Sequence, residues 1–306
     1  MPYPSISVVI STRNRPEDLE RCLQSLTDVG YPRWDILIVD QSDDTRTRDL
    51  VSRFATILPC LQYRHMREKG LCRSRNVCIE ESRGDIIAFL DDDCTVTTNW
   101  LEQVARVFER HPEAALVFGM VSAAPHDWRR VYVPRYEVLH ERILRGTAVL
   151  PKPGGFGASM YARHSLLRMI GPFDVLFGAG AYFPSNDDTD YACRTLLKGG
   201  AVVETPQIVV QHYGARDFET GAAARMFQDI AFSQGAMHMK YLRCGHPHAL
   251  WLIMLYLCRY VLRVNLVNLV RRKGPSNLAW LARYLHGIIT SFRFSISRRR
   301  LIYNER

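Results

Sequence analysis

The sequence lacks several features that mark common classes of protein. Its eight cysteines form no C-x-x-C pair, which argues against a structural zinc site. It holds no G-x-x-x-x-G-K-[S/T] motif, which argues against a P-loop nucleotide triphosphatase. It has no internal repeat and no low-complexity tract, and 47% of its residues are hydrophobic while 23% are charged. This composition is that of an ordinary globular protein.

A long apolar run is also missing. The uninterrupted apolar stretch 249–258 has ten residues and is followed by Arg259 and Arg263, whereas a membrane-spanning helix needs about 20. The stretch therefore predicts either a helix packed on the core or a helix lying in a membrane interface. Because the N-terminus carries no signal peptide, we expect a cytoplasmic protein with reduced cysteines.

Acidic residues are scarce in the C-terminal part of the chain. Residues 219–306 contain 14 Lys and Arg against 3 Asp and Glu, whereas residues 1–218 contain 26 against 28. Basic clusters at 271–273 and 298–300 flank an amphipathic stretch around 278–289, and this combination favours an anionic membrane surface as partner. Core packing with solvated charges remains the alternative. Because the region lacks the marks of a helix-turn-helix, a zinc finger or an RNA-recognition sheet, we expect no nucleic-acid partner.

Strands and helices alternate over the first 110 residues. This alternation is typical of an α/β fold with a Rossmann-like, mixed but mostly parallel central sheet covered by helices on both faces. Further strands are expected in the middle of the chain, and residues 219–306 are predicted to form a separate, basic amphipathic helical region after a domain at 1–218. The predicted strands are 6–10, 36–39, 61–64, 85–90, 116–120, 154–161 and 208–210, and the first predicted helices are 16–26, 45–54 and 70–81.

Three consecutive aspartates, Asp91, Asp92 and Asp93, directly follow the apolar run 86–90. A buried strand that ends in carboxylates brings them to the carboxyl edge of the sheet, where open α/β proteins bind ligands. A cation relieves the repulsion among clustered carboxylates, and oxygen ligands suit Mg²⁺ or Mn²⁺. The alternative is a polar turn before the helix near Trp100, but such a turn needs one acidic residue and not three.

The N-terminal segments resemble, in order, the motifs of family 2 inverting glycosyltransferases. Residues 7–26 resemble the opening strand, loop and helix of that family, and 36–44 resemble its second strand with an acidic end. Residues 70–76 resemble the G-x-x-x-A-R-N element, with Ser74 in place of Ala. The aspartates 91–93 match the D-x-D signature.

Two later segments continue the resemblance. Residues 171–174 resemble the family's G-x-F-D element. Residues 187–194 resemble E-D-x-D-L-x-x-R, with Asp187 and Tyr191 in place of Glu and Leu. Neither replacement removes the chemistry of the motif, and the resemblance runs from about residue 5 to residue 214.

The resemblance implies a fold and an activity. The fold is GT-A, with a nucleotide-sugar-binding half at 1–110 and an acceptor-binding half at 111–218 around one central sheet. The donor is a nucleotide-sugar, usually a UDP-sugar, and the cofactor is a divalent metal, Mn²⁺ or Mg²⁺. This predicts inverting transfer of a sugar to a hydroxyl of a glycan or lipid-linked acceptor in cell-surface polysaccharide synthesis. Together with the basic C-terminal region, it also predicts a protein bound peripherally to the inner face of the cell membrane.

Two other functions compete with this one. A nucleotidyltransferase also needs nucleotide-binding and metal-binding carboxylates, but it would not explain the acidic pair Asp187 and Asp188. A non-catalytic nucleotide-sugar-binding protein or membrane scaffold would be expected to have lost the metal and base carboxylates, and all of them are present.

The resemblance also implies which residues form the site. Asp93 contacts the metal directly, Asp91 meets the ribose or reaches the metal through water, and His212 completes the metal site. Asp188 is the general base, which is a carboxylate on the acceptor side, and Asp187 orients the acceptor hydroxyl. Asp40, at the end of the second strand, accepts the imide N–H of uracil. The residues implied for nucleotide-sugar binding are Thr12, Arg13, Asp40, Arg73, Arg75, Asp91 and Asp92.

Local structure offers a second explanation for some of these residues. Asp40 would also cap the helix that follows it, and the carboxylates at 187–190 would suit the N-terminus of any helix. Asp190 and Arg194, four residues apart, are predicted to be a structural pair.

Two further segments are candidates for contact with substrate. The glycine-rich run 154–157 is expected to let the donor sugar or the acceptor approach the backbone. The irregular segment 125–145 is a candidate mobile loop over the site. It carries Trp128, Tyr132 and Tyr136, whose rings either stack on sugar or have an ordinary packing role.

Overall fold

The computed structural model describes residues 3–58, 60–146, 155–263 and 278–305. Continuous apolar and β-branched runs form its buried strands, and apolar residues spaced three or four apart form the buried faces of its helices. The strands are β1 (Ile6–Thr12), β2 (Trp34–Asp40), β3 (Leu61–His65), β4 (Ile86–Asp91), β5 (Cys94–Thr95), β6 (Ala114–Ala123), β7 (Val131–Tyr132), β8 (Arg142–Leu144), β9 (Ser159–Arg163), β10 (Ala201–His212), β11 (Arg216–Asp217), β12 (Ile296–Ser297) and β13 (Ile302–Tyr303). The helices are α1 (Pro16–Leu26), α2 (Arg46–Phe54), α3 (Leu71–Glu81), α4 (Trp100–Arg110), α5 (His164–Ile170), α6 (Asp187–Leu197), α7 (Ala222–Arg243), α8 (His248–Leu257), which continues into a π-helical turn (Cys258–Leu262), and α9 (Leu278–Ser291).

In the described part of the chain, nine strands form one mixed sheet. Its order is β3-β2-β1-β4-β9-β6-β10-β5, and β8 also pairs with β10. β1 is parallel to β2 and β4, β2 is parallel to β3, and β6 is parallel to β10. β9 is antiparallel to both β4 and β6, so β6 and β10 run in the same direction as β4. The carboxyl ends of β1, β4 and β10 therefore meet at one edge, and the predicted fold class is confirmed.

Successive residues of the strands enter two hydrophobic cores, one on each face of the sheet. In β1, Val9 packs in the core that includes residues of α3, α6 and α7. Val8 and Ile10 pack in the other core, which includes residues of α1, α2 and α4. Because both faces are covered, the central strands read as continuous apolar runs. The helices therefore lie on both faces, as predicted.

Three strands in the middle of the chain differ in length from their predicted spans. β6 and β10 have 10 and 12 residues, because backbone pairing extends beyond their most apolar residues. β9 begins only at Ser159. The residues before it are held by close packing: Gly155 has a φ of +110°, and a Cβ there would lie 2.6 Å from the Phe118 ring. Gly154, the first glycine of the predicted run, lies outside the described residues.

The C-terminal region shares a core with the α/β part of the chain. Phe232 of α7 and Leu252 of α8 belong to the same apolar cluster as the central strands. The predicted helical structure of residues 219–306 is seen in α7, α8 and α9. The chain then forms a hairpin of β12 and β13, and Tyr303 of this hairpin also enters that cluster. Among the helices of the described segments, none is both long and apolar enough to cross a bilayer. The apolar run predicted at 264–270 and the basic cluster 271–273 lie outside the described residues.

Candidate active site

A cavity of about 850 Å³ opens at the sheet edge where β1, β4 and β10 end. Thr12 is the last residue of β1, Asp91 of β4 and His212 of β10. The first residues of α6 face these strand ends. The predicted site residues that line the cavity are Thr12, Arg13, Asp91, Asp92, Asp93, Asp187, Asp188 and His212.

Asp93 and His212 converge at the base of the cavity. Both are buried. The His212 ring donates from Nδ1 to the Pro134 carbonyl at 2.9 Å, which turns Nε2 toward Asp93 Oδ1 at 3.3 Å. Burial opposes a charged imidazole, but the hydrogen bond and the charge of Asp93 outweigh it and raise the pKa of His212. Burial also opposes ionisation of Asp93, yet the bond from His212 keeps the pKa of Asp93 low.

This pair fits a divalent cation. A carboxylate oxygen and an imidazole nitrogen oriented by a second hydrogen bond are a common ligand set for such ions. The side chain of Cys94 completes a group whose potential ligand atoms all lie within 4.8 Å of one another. Asp91, predicted as a second metal ligand, lies outside that group, and its Oδ1 accepts a hydrogen bond from Arg75 at 3.2 Å.

Asp92 is held by two neighbours at the cavity wall. Thr12 Oγ1 donates to its Oδ2 at 2.7 Å, and Arg15 Nη1 lies 3.3 Å from its Oδ1. Burial raises the pKa of Asp92 to about 7; repulsion from Asp93 adds to this, and Arg15 opposes it. Arg15, which also lies 3.5 Å from Asp93 Oδ2, was not predicted as a site residue. Arg13, which was predicted, lines the cavity and pairs with Asp43 at 3.5 Å.

Arg75 lies behind the cavity and not in it. Its side chain is only 3% exposed, and its guanidinium bonds to Asp91 of β4 and to Asp187 of α6. Burial raises the pKa of Asp187 to about 6, although Arg75 partly offsets this effect. Gly157 makes room for the guanidinium, because a Cβ there would lie 2.7 Å from Arg75 Nη2. The predicted contact between Arg75 and the nucleotide is therefore replaced by a contact that joins the two halves of the site.

Asp40 is also placed differently from its predicted role. It is fully buried, with Oδ1 accepting from the Ser42 N–H at 2.8 Å and Oδ2 accepting from the Tyr63 hydroxyl at 2.7 Å. The next residue, Gln41, lines the cavity instead, and its Nε2 donates to the carbonyls of Glu68 and Gly70. The alternation of side chains at the end of β2 explains the difference, because neighbouring residues of a strand face opposite sides.

Arg73 lies outside the cavity as well. It sits in the first turn of α3 and pairs with Glu68 at 3.8 Å and with Glu305 near the end of the described chain. These contacts use its guanidinium on the outer side of the helix. The structure therefore places Arg73 outside the cavity lining, and its contact with the nucleotide stays a prediction.

Asp188 faces the cavity from the start of α6. Its Oδ2 accepts the Gly157 N–H at 2.9 Å, and its Oδ1 accepts the Thr189 N–H at 2.6 Å. These donors fix the orientation of the carboxylate. Asp187 and Asp188 are therefore held differently, one by a buried guanidinium and the other by backbone amides.

Comparison with known proteins identifies the family. The model of glycosyl transferase family 2 matches residues 7–170, which is more than half of the chain. The chain belongs to this family. Glycosyltransferase AglE of Haloferax volcanii is 34% identical over 103 residues, covering 33% of this chain and 34% of AglE. The succinoglycan biosynthesis protein ExoM of Rhizobium meliloti is 34% identical over 122 residues, covering 39% of each chain. The chain thus spans only between a third and two fifths of the length of these curated relatives.

Solved structures with the same fold cover more of the chain. Staphylococcus aureus TarS 1–349 in complex with UDP-GlcNAc superposes with a TM-score of 0.61 at 14% identity, covering 94% of this chain and 81% of that one. The mannosyltransferase PcManGT of Pyrobaculum calidifontis, in complex with GDP-Man and Mn²⁺, superposes with a TM-score of 0.59 at 18% identity, covering 95% and 86%. At these identities the likeness establishes the fold, which is of the GT-A type.

The cavity in this family 2 chain also has aromatic and basic lining residues. Tyr132 of β7 and Phe227 of α7 line it, with ring centroids 5.3 Å apart. Arg216 and Arg225 line it as well. Tyr136, predicted as a possible sugar contact, lines the cavity too. Trp128 does not: its side chain is 71% exposed and stacks with the guanidinium of Arg129.

Proposed function

We propose that this family 2 protein is a metal-dependent inverting glycosyltransferase. It would transfer a sugar from a nucleotide-sugar, with a UDP-sugar as the proposed donor, to a hydroxyl of a glycan or glycolipid in cell-surface polysaccharide synthesis. The observation that carries the proposal is the single cavity that brings Asp93 and His212 together with Asp187 and Asp188. Relatives such as ExoM, whose name places it in succinoglycan biosynthesis, support the polysaccharide part.

The donor half of the reaction rests on Asp93 and His212. These two residues would hold Mn²⁺ or Mg²⁺, which when bound stabilises the negative charge that gathers on the leaving diphosphate. Arg15 lies beside them and would offset the charge of Asp92 near the phosphates. Thr12 and Gln41, at the ends of β1 and β2, would contact the base from the cavity wall. Gln41 takes the place that the sequence assigned to Asp40.

The acceptor half rests on the start of α6. Inversion requires a base on the face of the sugar opposite the leaving group, close to the acceptor hydroxyl. Asp188 is the proposed base, because its carboxylate reaches the cavity and is oriented by the Gly157 and Thr189 amides. Asp187, bonded to Arg75, would orient the acceptor hydroxyl. The rings of Tyr132 and Phe227 in the cavity wall offer a flat apolar surface on which a sugar ring can stack.

Calorimetric titration with UDP tests the donor site. GDP and TDP are the competing nucleotides, and each is titrated with Mn²⁺ and again with EDTA. Wild-type protein should bind UDP only with the metal, and Asp93→Ala should lose that binding. Asp28→Ala, which changes an exposed aspartate in the turn after α1, should keep it. Absence of nucleotide binding in every condition would overturn the proposal and favour a scaffold. Binding without release of UDP from any UDP-sugar would favour a non-catalytic nucleotide-sugar-binding protein.

The proposed location is the inner face of the cell membrane, bound through the C-terminal helices. Leu278, Leu285 and Ile289 recur on one face of α9, and Phe292 follows them; their side chains are 43–69% exposed. Such an apolar face on a surface helix suits the boundary between headgroups and acyl chains. The exposed Arg298–Arg300 turn lies between β12 and β13, where it would meet anionic headgroups.

Vesicle sedimentation tests this location. The double variant Leu285→Gln/Ile289→Gln should partition onto phosphatidylglycerol-containing vesicles at least about 100-fold less than wild type, because burying each aliphatic side chain contributes roughly 1.5 kcal/mol or more, or about 3 kcal/mol for the two. Ile57→Gln is the matched control, since Ile57 is 59% exposed and lies after α2. Equal sedimentation of all three proteins would exclude α9 as the membrane contact, and equal binding to pure phosphatidylcholine would exclude a role for anionic lipid.

A further inference from the structure

Lys240 of α7 is a fully buried cation that no step of the proposed reaction uses. Its Nζ lies 2.8 Å from Asp174 Oδ2 and 2.6 Å from Asp190 Oδ1, and all three side chains are at most 1% exposed. The ring of Phe177 packs 4.7 Å from the ammonium group. Taking such a charge out of water is costly unless its partners compensate it fully. The arrangement therefore needs an explanation beyond simple core filling.

The two carboxylates join Lys240 to three other parts of the chain. Asp190 Oδ2 accepts from Arg194 Nε at 3.0 Å, and Arg194 Nη1 donates to the Pro172 carbonyl at 2.7 Å. Tyr241, the neighbour of Lys240, donates its hydroxyl to Asp190 Oδ1 at 2.6 Å. The Tyr303 backbone N–H, from the C-terminal hairpin, donates to Asp174 Oδ2 at 2.9 Å. Two cations thus face two carboxylates, so the buried group has no net charge.

The network lies directly behind the acidic start of α6. Asp190 shares the first turn of that helix with Asp187 and Asp188, which line the cavity, whereas Asp190 faces α7. Two more contacts from α7 hold the residues just before α6. Ser185 N–H donates to Ser233 Oγ at 3.1 Å, and the Asn186 amide bonds to Gln234. The contacts of Asp190 with Lys240 and Tyr241, like those of residues 185 and 186, therefore link the base-bearing turn to α7.

We propose that Lys240 is a positioning residue for Asp187 and Asp188, so that α7 belongs to the catalytic unit. The inference rests on the proposed glycosyltransferase function. Lys240 touches neither the cavity nor the donor end of the site. Its loss should therefore displace the acceptor-side carboxylates while leaving Asp93, His212 and the nucleotide contacts in place. Misplacement of a reacting group by about 1 Å costs on the order of 10²-fold in rate.

The test compares Lys240→Met with Lys240→Met/Asp174→Asn. The single variant leaves one carboxylate uncompensated, and the double variant restores charge balance with groups of similar size. The expected result for the single variant is a kcat about 10²-fold below wild type, with UDP affinity by calorimetry and the KM for the nucleotide-sugar within about twofold. The double variant should recover a substantial part of kcat. A purely structural role would instead lower the folded fraction and leave kcat per folded molecule unchanged.

Two further variants complete the experiment. Lys198→Met is the matched control, because Lys198 lies at the other end of α6 and, among the described residues, its ammonium donates to the Ile170 carbonyl at 3.1 Å and not to Asp174 or Asp190; it should behave as wild type. If Lys240→Met does not fold, Tyr241→Phe removes one hydrogen bond to Asp190 with little change in shape, and it should lower kcat about tenfold at unchanged UDP affinity. Wild-type kcat in Tyr241→Phe and in every folded Lys240 variant would overturn the inference. Failure of wild-type protein to turn over any nucleotide-sugar would overturn the proposed function instead.

Discussion

Replacing Arg75 by Met gives the sharpest stability prediction of this structure. The guanidinium is 3% exposed and packs against the rings of Phe89 and Phe173, at 5.8 and 5.6 Å from their centroids. It bonds to Asp91 and Asp187 at the junction of the two halves of the site. Met keeps most of the volume and removes the charge. Both carboxylates would then line the cavity without the guanidinium beside them.

The magnitude follows from the loss of one partner of a buried ion pair. Such a loss costs about 3–5 kcal/mol in the free energy of unfolding, because the remaining charge is left without compensation. Even with Arg75 present, burial raises the pKa of Asp187 to about 6. Burial also raises the pKa of Asp91. Without Arg75 both pKa values rise further.

The sign of the pH dependence can be worked out from these directions. A carboxyl whose folded-state pKa exceeds its unfolded value of about 3.9 binds protons more tightly when folded. Its contribution to stability is present at low pH and is lost as the pH rises through the folded-state pKa. The free energy of unfolding of Arg75→Met should therefore fall furthest below that of wild type at about pH 8. The difference should be smaller at about pH 5, where protonation neutralises the uncompensated carboxyls.

Urea unfolding of both proteins at the two pH values measures this difference. Arg15→Met is the matched control, because Arg15 also faces two site carboxylates but its side chain is 47% exposed. Because solvent screens the half-exposed Arg15, its loss should cost only about 1 kcal/mol or less. Two results would contradict this prediction: a loss of unfolding free energy in Arg75→Met no larger than that in Arg15→Met, or an equal loss in Arg75→Met at pH 8 and at pH 5.

Two glycine substitutions give further predictions. Gly157→Ala should lower the free energy of unfolding by about 1–3 kcal/mol, because its Cβ would lie 2.7 Å from the buried Arg75 guanidinium. Gly30→Ala is the control: its Cβ would have no atom within 4 Å, and the free energy of unfolding should change by about 0.5 kcal/mol or less. Gly287→Ala should separate α9 from α7, because a Cβ there would lie 1.9 Å from the Phe232 carbonyl oxygen, and it should lower the melting temperature by several degrees. A melting temperature for Gly287→Ala equal to that of wild type would show that the two helices do not need this close contact.

Much of the site was predictable because strand ends are visible in the sequence. An apolar run followed by Asp91–Asp93, and another followed by His212, predicted side chains at the carboxyl edge of a parallel sheet, and the structure brings them to one cavity. Asp187 and Asp188 also reach that cavity. Their roles in metal binding and catalysis stay predictions until the experiments above are done.

Side-chain direction was not predictable in the same way. At the end of β2 a change of one residue decides whether Asp40 or Gln41 faces the cavity, and the sequence favoured the carboxylate for its chemistry. The family resemblance implied that Arg75 meets the nucleotide, yet two carboxylates from distant segments compensate its charge inside the protein. Pairing between residues far apart in sequence leaves no periodic signal in either segment.

The sequence alone determined the alternation of strands and helices, the order of the motifs and the position of the acidic strand end. Those features depend on local propensity and on the spacing of apolar residues, and both are set by residues that are close together in the sequence. Only the tertiary structure decided that Lys240, on a C-terminal helix, would lie between Asp174 and Asp190 behind the acidic start of α6. A buried charge is stable only where its partners converge on it, and that convergence is a property of the packed chain.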